Sequence, residues 1–90
     1  MTDNSKVKLI KKLDVTDLDG EKVMIDFSSG KYFLLKGAAN EIWDYIQNPI
    51  IVSDILQKLT NVYDVSEDTC REGIFSFLTQ LKDYAFISVE

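Results

Sequence analysis

The spacing of apolar residues changes once along this chain, and this change constrains the fold more than any other feature. Up to Gly37, apolar residues alternate with polar ones, a pattern typical of half-buried strands. Beyond Gly37 they recur every three or four residues, which indicates helices. Ninety residues are enough for one small domain. We therefore predict a single α+β domain over residues 1–90, with residues 1–6 frayed.

The first part of the chain predicts three strands joined by two short turns. The strands cover residues 7–14, 21–27 and 31–35. Asp19-Gly20 favours a two-residue hairpin between the first two strands, and residues 28–30 form the next turn. Strands joined in this way form an antiparallel meander.

Three helices are predicted after the meander. The first ends at Asn48-Pro49, and its apolar face consists of Ala39, Ile42, Trp43 and Ile46. Ser53 is predicted to cap the second, whose inner stripe is Ile55, Leu56 and Leu59. Ser66 is predicted to cap the third, which runs to Tyr84 with an apolar stripe of Cys70, Ile74, Phe77, Leu78 and Leu81. Residues 86–89 can add a final extended segment.

The third predicted strand departs from alternation. Its sequence, Lys31-Tyr32-Phe33-Leu34-Leu35, is apolar on both faces. If Phe33 and Leu35 face the helices, Tyr32 and Leu34 face away. The last strand of a meander also has an unpaired edge unless the tail covers it, and an extended peptide can add to such an edge. Alternatively, a helix covers the second face and all four apolar residues belong to the core.

The absence of several residue types narrows the possible functions. There is no histidine, which removes Ser-His-Asp and Cys-His catalysis and imidazole metal ligation. A single cysteine forms neither a thiolate zinc site nor an internal disulfide, and the glycines form no phosphate-binding motif. We expect a binding module rather than an enzyme, without cofactor or metal, in the reducing cytoplasm and not in a membrane.

The distribution of charge argues against a nucleic-acid partner. The net charge is −5, and residues 37–90 carry three basic side chains against nine acidic ones. In the third predicted helix, Arg71 and Lys82 are outnumbered by acids, so this helix would repel a DNA backbone. A DNA-binding winged helix that uses the lysines of residues 6–12 remains one alternative. A protein-interaction domain whose exposed edge pairs with itself is the other.

Several segments, taken in order, resemble the PqqD-like family, whose members are also called RiPP recognition elements and include leader-binding proteins of lasso-peptide pathways. The similarity runs over roughly residues 20–88. The matching segments are residues 23–35, Ala39 with residues 42–46, and residues 52–56, 63–65 and 77–81.

This resemblance implies a winged-helix-like fold, with a three-stranded antiparallel meander followed by three helices. It also implies a non-catalytic chaperone that binds the leader of a ribosomally synthesised, modified precursor peptide. The leader would add as an antiparallel strand beside the third strand and pass to a separate enzyme, such as a radical enzyme or a leader peptidase. The protein would be a monomer or weak homodimer. The implied peptide-binding residues are Lys31, Tyr32, Phe33, Leu34 and Leu35 from the strand, and Arg71, Ile74, Phe75, Leu78 and Lys82 from the helix.

The chain departs from the family pattern at three positions. Lys36 stands where an Asn often follows the third strand, and Gly73 stands where the third helix often has an Asp. A glycine inside a helix costs about 1 kcal/mol relative to alanine. Ala85 stands where a glycine is common near the end of that helix. These departures bear on the peptide contacts rather than on the fold.

Overall fold

The structure is a computed structural model that describes residues 1–11, 13–19 and 21–90. Six strands and three helices occur within these residues. Their order is β1 (Lys6–Leu9), β2 (Asp14–Leu18), β3 (Glu21–Asp26), β4 (Lys31–Leu35), α1 (Ala38–Tyr45), β5 (Ile50–Ile51), α2 (Val52–Val62), α3 (Glu67–Asp83) and β6 (Ile87–Val89). The predicted α+β class, with a meander followed by three helices, is confirmed.

The strands form two antiparallel sheets of three strands each. One sheet is the meander β2-β3-β4, and the other has the order β5-β1-β6. The predicted strand over residues 7–14 is wrong, because it joins the end of β1 to the start of β2, which lie in different sheets. Val7 in β1 pairs with Ile50 and Val89, and such distant partners leave no trace in the local alternation.

The first turn of the meander is a tight hairpin. Leu18 pairs with Glu21, so only two residues connect β2 to β3. Asp19 has a φ of 53°, the left-handed conformation that two-residue hairpins favour. Gly20, the other residue of the predicted turn, lies outside the described residues. In the next turn the Gly30 N–H donates to the Asp26 carbonyl at 2.9 Å.

The N-terminal residues contact the start of α2. The N–H groups of Val52 and Ser53 donate to the carbonyls of Ser5 and Asp3 at 2.9 and 2.8 Å. Residues 1–6, expected to be frayed, therefore have defined backbone partners in the structure. The prediction that Ser53 caps α2 is wrong, because Ser53 lies inside the helix and backbone carbonyls accept from its first N–H groups.

One hydrophobic core joins the helices to both sheets. Ser66 caps α3 as predicted, with its hydroxyl accepting from the Thr69 N–H at 3.2 Å. Apolar side chains that are at most 4% exposed come from every helix and from β1, β3, β4 and β6. They include Val7, Met24, Leu35, Ile42, Trp43, Leu59, Ile74, Leu78 and Ile87. Cys70 and Phe77, at the margins of the α3 stripe, are half-buried and pack against this core.

A salt bridge connects the segment between β1 and β2 to the end of β3. The Lys11 ammonium lies 2.9 Å from the carboxylate of Asp26, the last residue of β3. Asp26 also accepts from the Ser28 N–H and the Ser29 hydroxyl at 3.1 and 3.0 Å. The hydrogen bond from Lys11 is the main reason that the pKa of Asp26 lies below its ordinary value, although burial acts in the opposite direction. These contacts hold the turn between β3 and β4 in place.

Candidate functional groove

Strand β4 forms one edge of the meander, and its two faces have different surroundings. Leu35 is only 2% exposed and faces the helices, as does the half-buried Phe33. Tyr32 and Leu34 point the other way and are 76% and 46% exposed. The alternative in which a helix covers this second face is therefore wrong. Apolar residues on both faces serve the core on one side and remain accessible on the other.

The outer edge of β4 has no strand partner among the described residues. β3 pairs with one side of β4, and the C-terminal strand β6 pairs with β1 instead. The tail is extended, as predicted, but it does not cover this edge. Backbone N–H and C=O groups on the outer side of β4 are therefore available to an additional strand.

A groove runs between this edge and the C-terminal half of α3. Its volume is about 270 Å³. We call it the strand groove, and it is lined by Met24, Tyr32, Phe33, Leu34 and Leu35 from the sheet and by Phe77, Gln80, Leu81 and Tyr84 from α3 and its C-terminal end. Polar backbone at one wall and apolar side chains at the other are what a strand-like ligand requires.

Three aromatic rings fix the end of the strand groove. The Phe33 ring centroid lies 4.7 Å from that of Tyr84 and 5.6 Å from that of Phe86, and the last two are also 5.6 Å apart. Phe33 belongs to β4, whereas Tyr84 and Phe86 lie just after the end of α3. This cluster therefore sets the distance between the strand wall and the helix wall.

The chain reverses sharply where α3 ends, and this reversal positions the aromatic cluster. Ala85 has a φ of 63°, and its N–H donates to the Lys82 carbonyl. The Phe86 N–H donates to the Leu81 carbonyl at 2.9 Å, which completes a left-handed helix ending of the kind that usually contains glycine. An alanine in this conformation carries a strain of roughly 1–2 kcal/mol.

The structure places the ten residues implied by the family resemblance in three different environments. Residues 32–35 line the strand groove, and Lys31 lies at its end, with its ammonium 5.9 Å from the centroid of the Tyr84 ring. Ile74 and Leu78 are at most 1% exposed, so their side chains belong to the core. The remaining three, Arg71, Phe75 and Lys82, lie on α3 but are not among the residues that line the groove.

Helix geometry explains why these last three are separate from the groove. Successive residues turn by about 100° around a helix, so Phe77, Gln80 and Tyr84 lie on one flank of the buried stripe. Phe75 and Lys82 lie on the opposite flank. Arg71 is on that flank too, and its guanidinium contacts the Asp3 and Asp68 carboxylates at 2.9 and 2.8 Å.

The four groove residues from α3 and its C-terminal end were not among the predicted peptide contacts; they are Phe77, Gln80, Leu81 and Tyr84. Gln80 and Tyr84 lie three and seven residues after Phe77, a spacing that places all three on the same side of a helix. That spacing was visible in the sequence. The choice of flank was not, because it depends on which side of α3 faces β4.

Lysines flank the strand wall of the groove. Lys31 begins β4 and Lys36 directly follows it, and both are exposed. Within the described part of the chain, neither forms a salt bridge at 4.0 Å or less. The strand wall is thus positively charged at both ends, although the protein as a whole is acidic.

Among the described residues, no three His, Cys, Asp or Glu side chains come together in a way that could bind a metal ion. None of the described helices has the length and apolar character needed to cross a bilayer.

Comparisons with known proteins agree with this architecture. The profile of the family "Coenzyme PQQ synthesis protein D (PqqD)" matches residues 21–87. A solved structure of TbiB1 in complex with the TbiA(beta) leader peptide has a similar fold, with a TM-score of 0.78 and 21% sequence identity. That similarity covers 90% of this chain and 94% of the TbiB1 chain. No curated protein matches the sequence.

The matched segment begins at β3 and ends at the first residue of β6, so it contains both walls of the strand groove. It covers most of the chain and confirms the resemblance found in the sequence. The chain belongs to the PqqD family.

Proposed function

We propose that this protein binds the leader segment of a ribosomally synthesised, modified precursor peptide as an additional antiparallel strand on β4. The observation that carries the proposal is the unpaired edge of β4, which opens into the strand groove beside α3. Membership of the PqqD family supports it. Further support comes from the similar fold of TbiB1, a protein solved in complex with a leader peptide.

Backbone and side chains have separate roles in this mechanism. Hydrogen bonds to the backbone of β4 set the register of the leader. Because side chains alternate along a strand, one set of leader residues enters the strand groove toward Phe77, Gln80 and Tyr84. The other set lies on the outer face beside Tyr32 and Leu34. Apolar leader residues would fit both surfaces, and acidic residues at the two ends of the paired segment would lie near Lys31 and Lys36.

In this proposal the protein has no chemistry of its own. It holds the precursor for a separate enzyme, which would be a radical enzyme or a leader peptidase. Binding the leader and the enzyme together raises the effective concentration of the precursor at the active site.

An NMR titration tests the proposal. The isotopically labelled protein is titrated with the synthetic leader of a precursor peptide encoded beside its gene. We expect saturable amide shifts in residues 31–36 and 77–84 and no comparable shifts in β2, the other edge of the same sheet. A saturable response confined to other surfaces would contradict the proposed site.

Two neighbouring residues of α3 provide a matched pair of variants. Gln80 lines the strand groove and Thr79 does not, although both are exposed. Gln80→Arg places a long side chain in the groove and should weaken leader binding at least tenfold. Thr79→Arg adds the same charge to the same helix and should leave the affinity within about twofold. Equal affinities for the two variants would count against the groove as the binding site.

A further inference from the structure

A second cavity lies against the N-terminal half of α3. Its volume is about 340 Å³. We call it the helical pocket, and its walls come from all three helices and from the α2–α3 connection, with Ala38, Ile42, Leu59, Tyr63, Cys70 and Gly73 among the lining residues. These walls are almost entirely apolar. An empty cavity of about 150 Å³ is already large enough for benzene, so the helical pocket can accept an aromatic ring.

The helical pocket lies on the same side of α3 as the strand groove. Gly73 in the pocket is one helical turn before Phe77 in the groove, which corresponds to about 6 Å along the helix axis. On the other wall, Ala38 follows Leu35 by only three residues. The pocket therefore continues the groove beyond the C-terminal end of β4.

The direction of an added strand determines which part of a ligand reaches the pocket. A peptide antiparallel to β4 has its N-terminal part beside Leu35, at the end nearest to Ala38. An extended chain advances about 3.3 Å per residue, so a distance of 6–10 Å corresponds to roughly two or three residues. A residue shortly before the paired segment thus lies within reach of the helical pocket.

The pocket is open at Gly73, and Tyr63 forms part of its opposite wall. A Cβ built on Gly73 meets no heavy atom within 4 Å, and this helical residue has an ordinary negative φ. A larger side chain therefore fits at this position. At the opposite wall, Tyr63 lies beside Glu41 of α1, and the Glu41 carboxylate is the main reason that the pKa of Tyr63 is raised.

We infer that the helical pocket receives one large apolar side chain, aromatic or branched aliphatic, from a leader residue two or three positions before the segment that pairs with β4. This inference rests on the proposed function and assigns a second recognition element to it. The ligand would then be recognised by a strand together with a separate anchor at its N-terminal side.

A selection from random peptides tests the inference without knowledge of the natural precursor. Immobilised protein is used to enrich binders from a displayed library of random 15-residue peptides. We expect enriched sequences to share an alternating apolar segment and, two or three positions before it, a Tyr, Phe, Trp, Leu or Ile. Enrichment of the alternating segment alone would overturn the pocket inference and leave the proposed function intact. No enrichment at all would overturn both.

Substitution at Gly73 fills the pocket from its open side. Gly73→Leu places an isobutyl group at the mouth and should abolish selection of the anchor residue while the alternating segment is still selected. Ser76→Leu adds the same side chain at an exposed position of α3 outside the pocket and should leave both preferences unchanged. Gly73→Ala fills less of the pocket and serves if the leucine variant does not fold. Continued selection of the anchor by a folded Gly73→Leu protein would contradict the inference.

Cys70 offers a direct readout because it lines the pocket and is the single cysteine of the chain. Burial raises the pKa of its thiol, so alkylation by iodoacetamide is best followed at alkaline pH. A selected peptide should slow this alkylation at least fivefold at saturation. The same peptide with its anchor replaced by Ala should protect Cys70 much less at saturation. Equal protection by the two peptides would place the anchor elsewhere.

Discussion

The two sheets of this protein are built from strand pairings of different range along the chain. In the β5-β1-β6 sheet, the central strand β1 is paired on both sides, and its neighbours come from distant parts of the chain. In the β2-β3-β4 sheet, all pairings are between consecutive strands, and β4 has an unpaired outer edge within the described part of the chain. We call the first the closed sheet, because it joins segments from both ends of the chain, and the second the open sheet, because its β4 edge borders the strand groove.

This difference separates the residues that stabilise the fold from those that are available to a ligand. Val7 and Ile87 in the closed sheet are at most 2% exposed. Tyr32 and Leu34 in the open sheet are at least 46% exposed. Substitutions in the closed sheet should therefore change stability without changing the site. Substitutions on the outer face of β4 should change ligand binding without changing stability.

The two edges of the open sheet are also unlike each other. β2 contains Asp14 and Asp17, and all of its residues are exposed. Charged side chains are a common means of preventing an edge strand from pairing with other chains. β4 has no acidic residue and carries four consecutive apolar ones. Only one edge of the sheet is thus suited to accept an apolar strand.

The largest effect on stability is expected in the closed sheet. Ile87→Ala removes a buried side chain and should lower the free energy of unfolding by about 2–5 kcal/mol, measured by urea denaturation. Peptide affinity of the folded fraction should be unchanged. If this variant does not fold, Ile87→Val gives a smaller loss of about 0.5–1.5 kcal/mol.

The matched change in the open sheet, Tyr32→Ala, should alter the free energy of unfolding by less than about 0.5 kcal/mol. Similar losses at the two positions would remove the distinction between the sheets.

The next largest effect is expected on leader binding, from a substitution that gives β4 an acidic residue like those of β2. Leu34→Asp places a carboxylate where the added strand would cover an apolar side chain. Leader affinity should fall at least tenfold, or about 1.4 kcal/mol, as measured by calorimetry. Circular dichroism should show that the helices still form. Val62→Asp, at an exposed apolar position on α2, is the control and should bind normally. Unchanged binding by the Leu34 variant would mean that the site is elsewhere.

The smallest effect concerns Ala85, at the corner where α3 meets the closed sheet. Ala85→Gly relieves the strained left-handed φ and should raise the free energy of unfolding by about 1 kcal/mol. For a domain of this size the melting temperature should rise by roughly 4–8 °C. Ala85→Val tests the sign, because a β-branched residue should be destabilising here. A gain in stability with valine would contradict the assigned strain.

The sequence predicted local structure well and distant pairing poorly. The bounds of β4 were correct, and so was the cap of α3, because each depends on a few consecutive residues. The first predicted strand failed because the alternation of Val7 and Leu9 seemed to continue to Leu13. Whether Val7 belongs to the meander depends on partners at Ile50 and Val89, which no local pattern identifies.

The candidate site was predictable on its strand side, but none of the five predicted contacts on α3 lines the strand groove. Loss of alternation at β4 identified a strand with an exposed apolar face, and residues 32–35 do line the groove. On α3, a stripe pattern shows which residues face inward but not which flank lies beside β4. The groove residues Phe77, Gln80 and Tyr84 were missed for this reason. The helical pocket was missed because it depends on the space between three helices.

The hydrogen bonds between Lys6 and Glu90 have a practical consequence. Each N–H donates to the other residue's carbonyl at 2.9 Å, so Glu90 lies beside the first residue of β1 at one end of the closed sheet. Phe86, beside the strand groove, is at the opposite end of β6. A fusion partner joined after Glu90 would therefore begin at the end of β6 that is farther from the strand groove. We expect such a fusion to leave the docking position on β4 unobstructed.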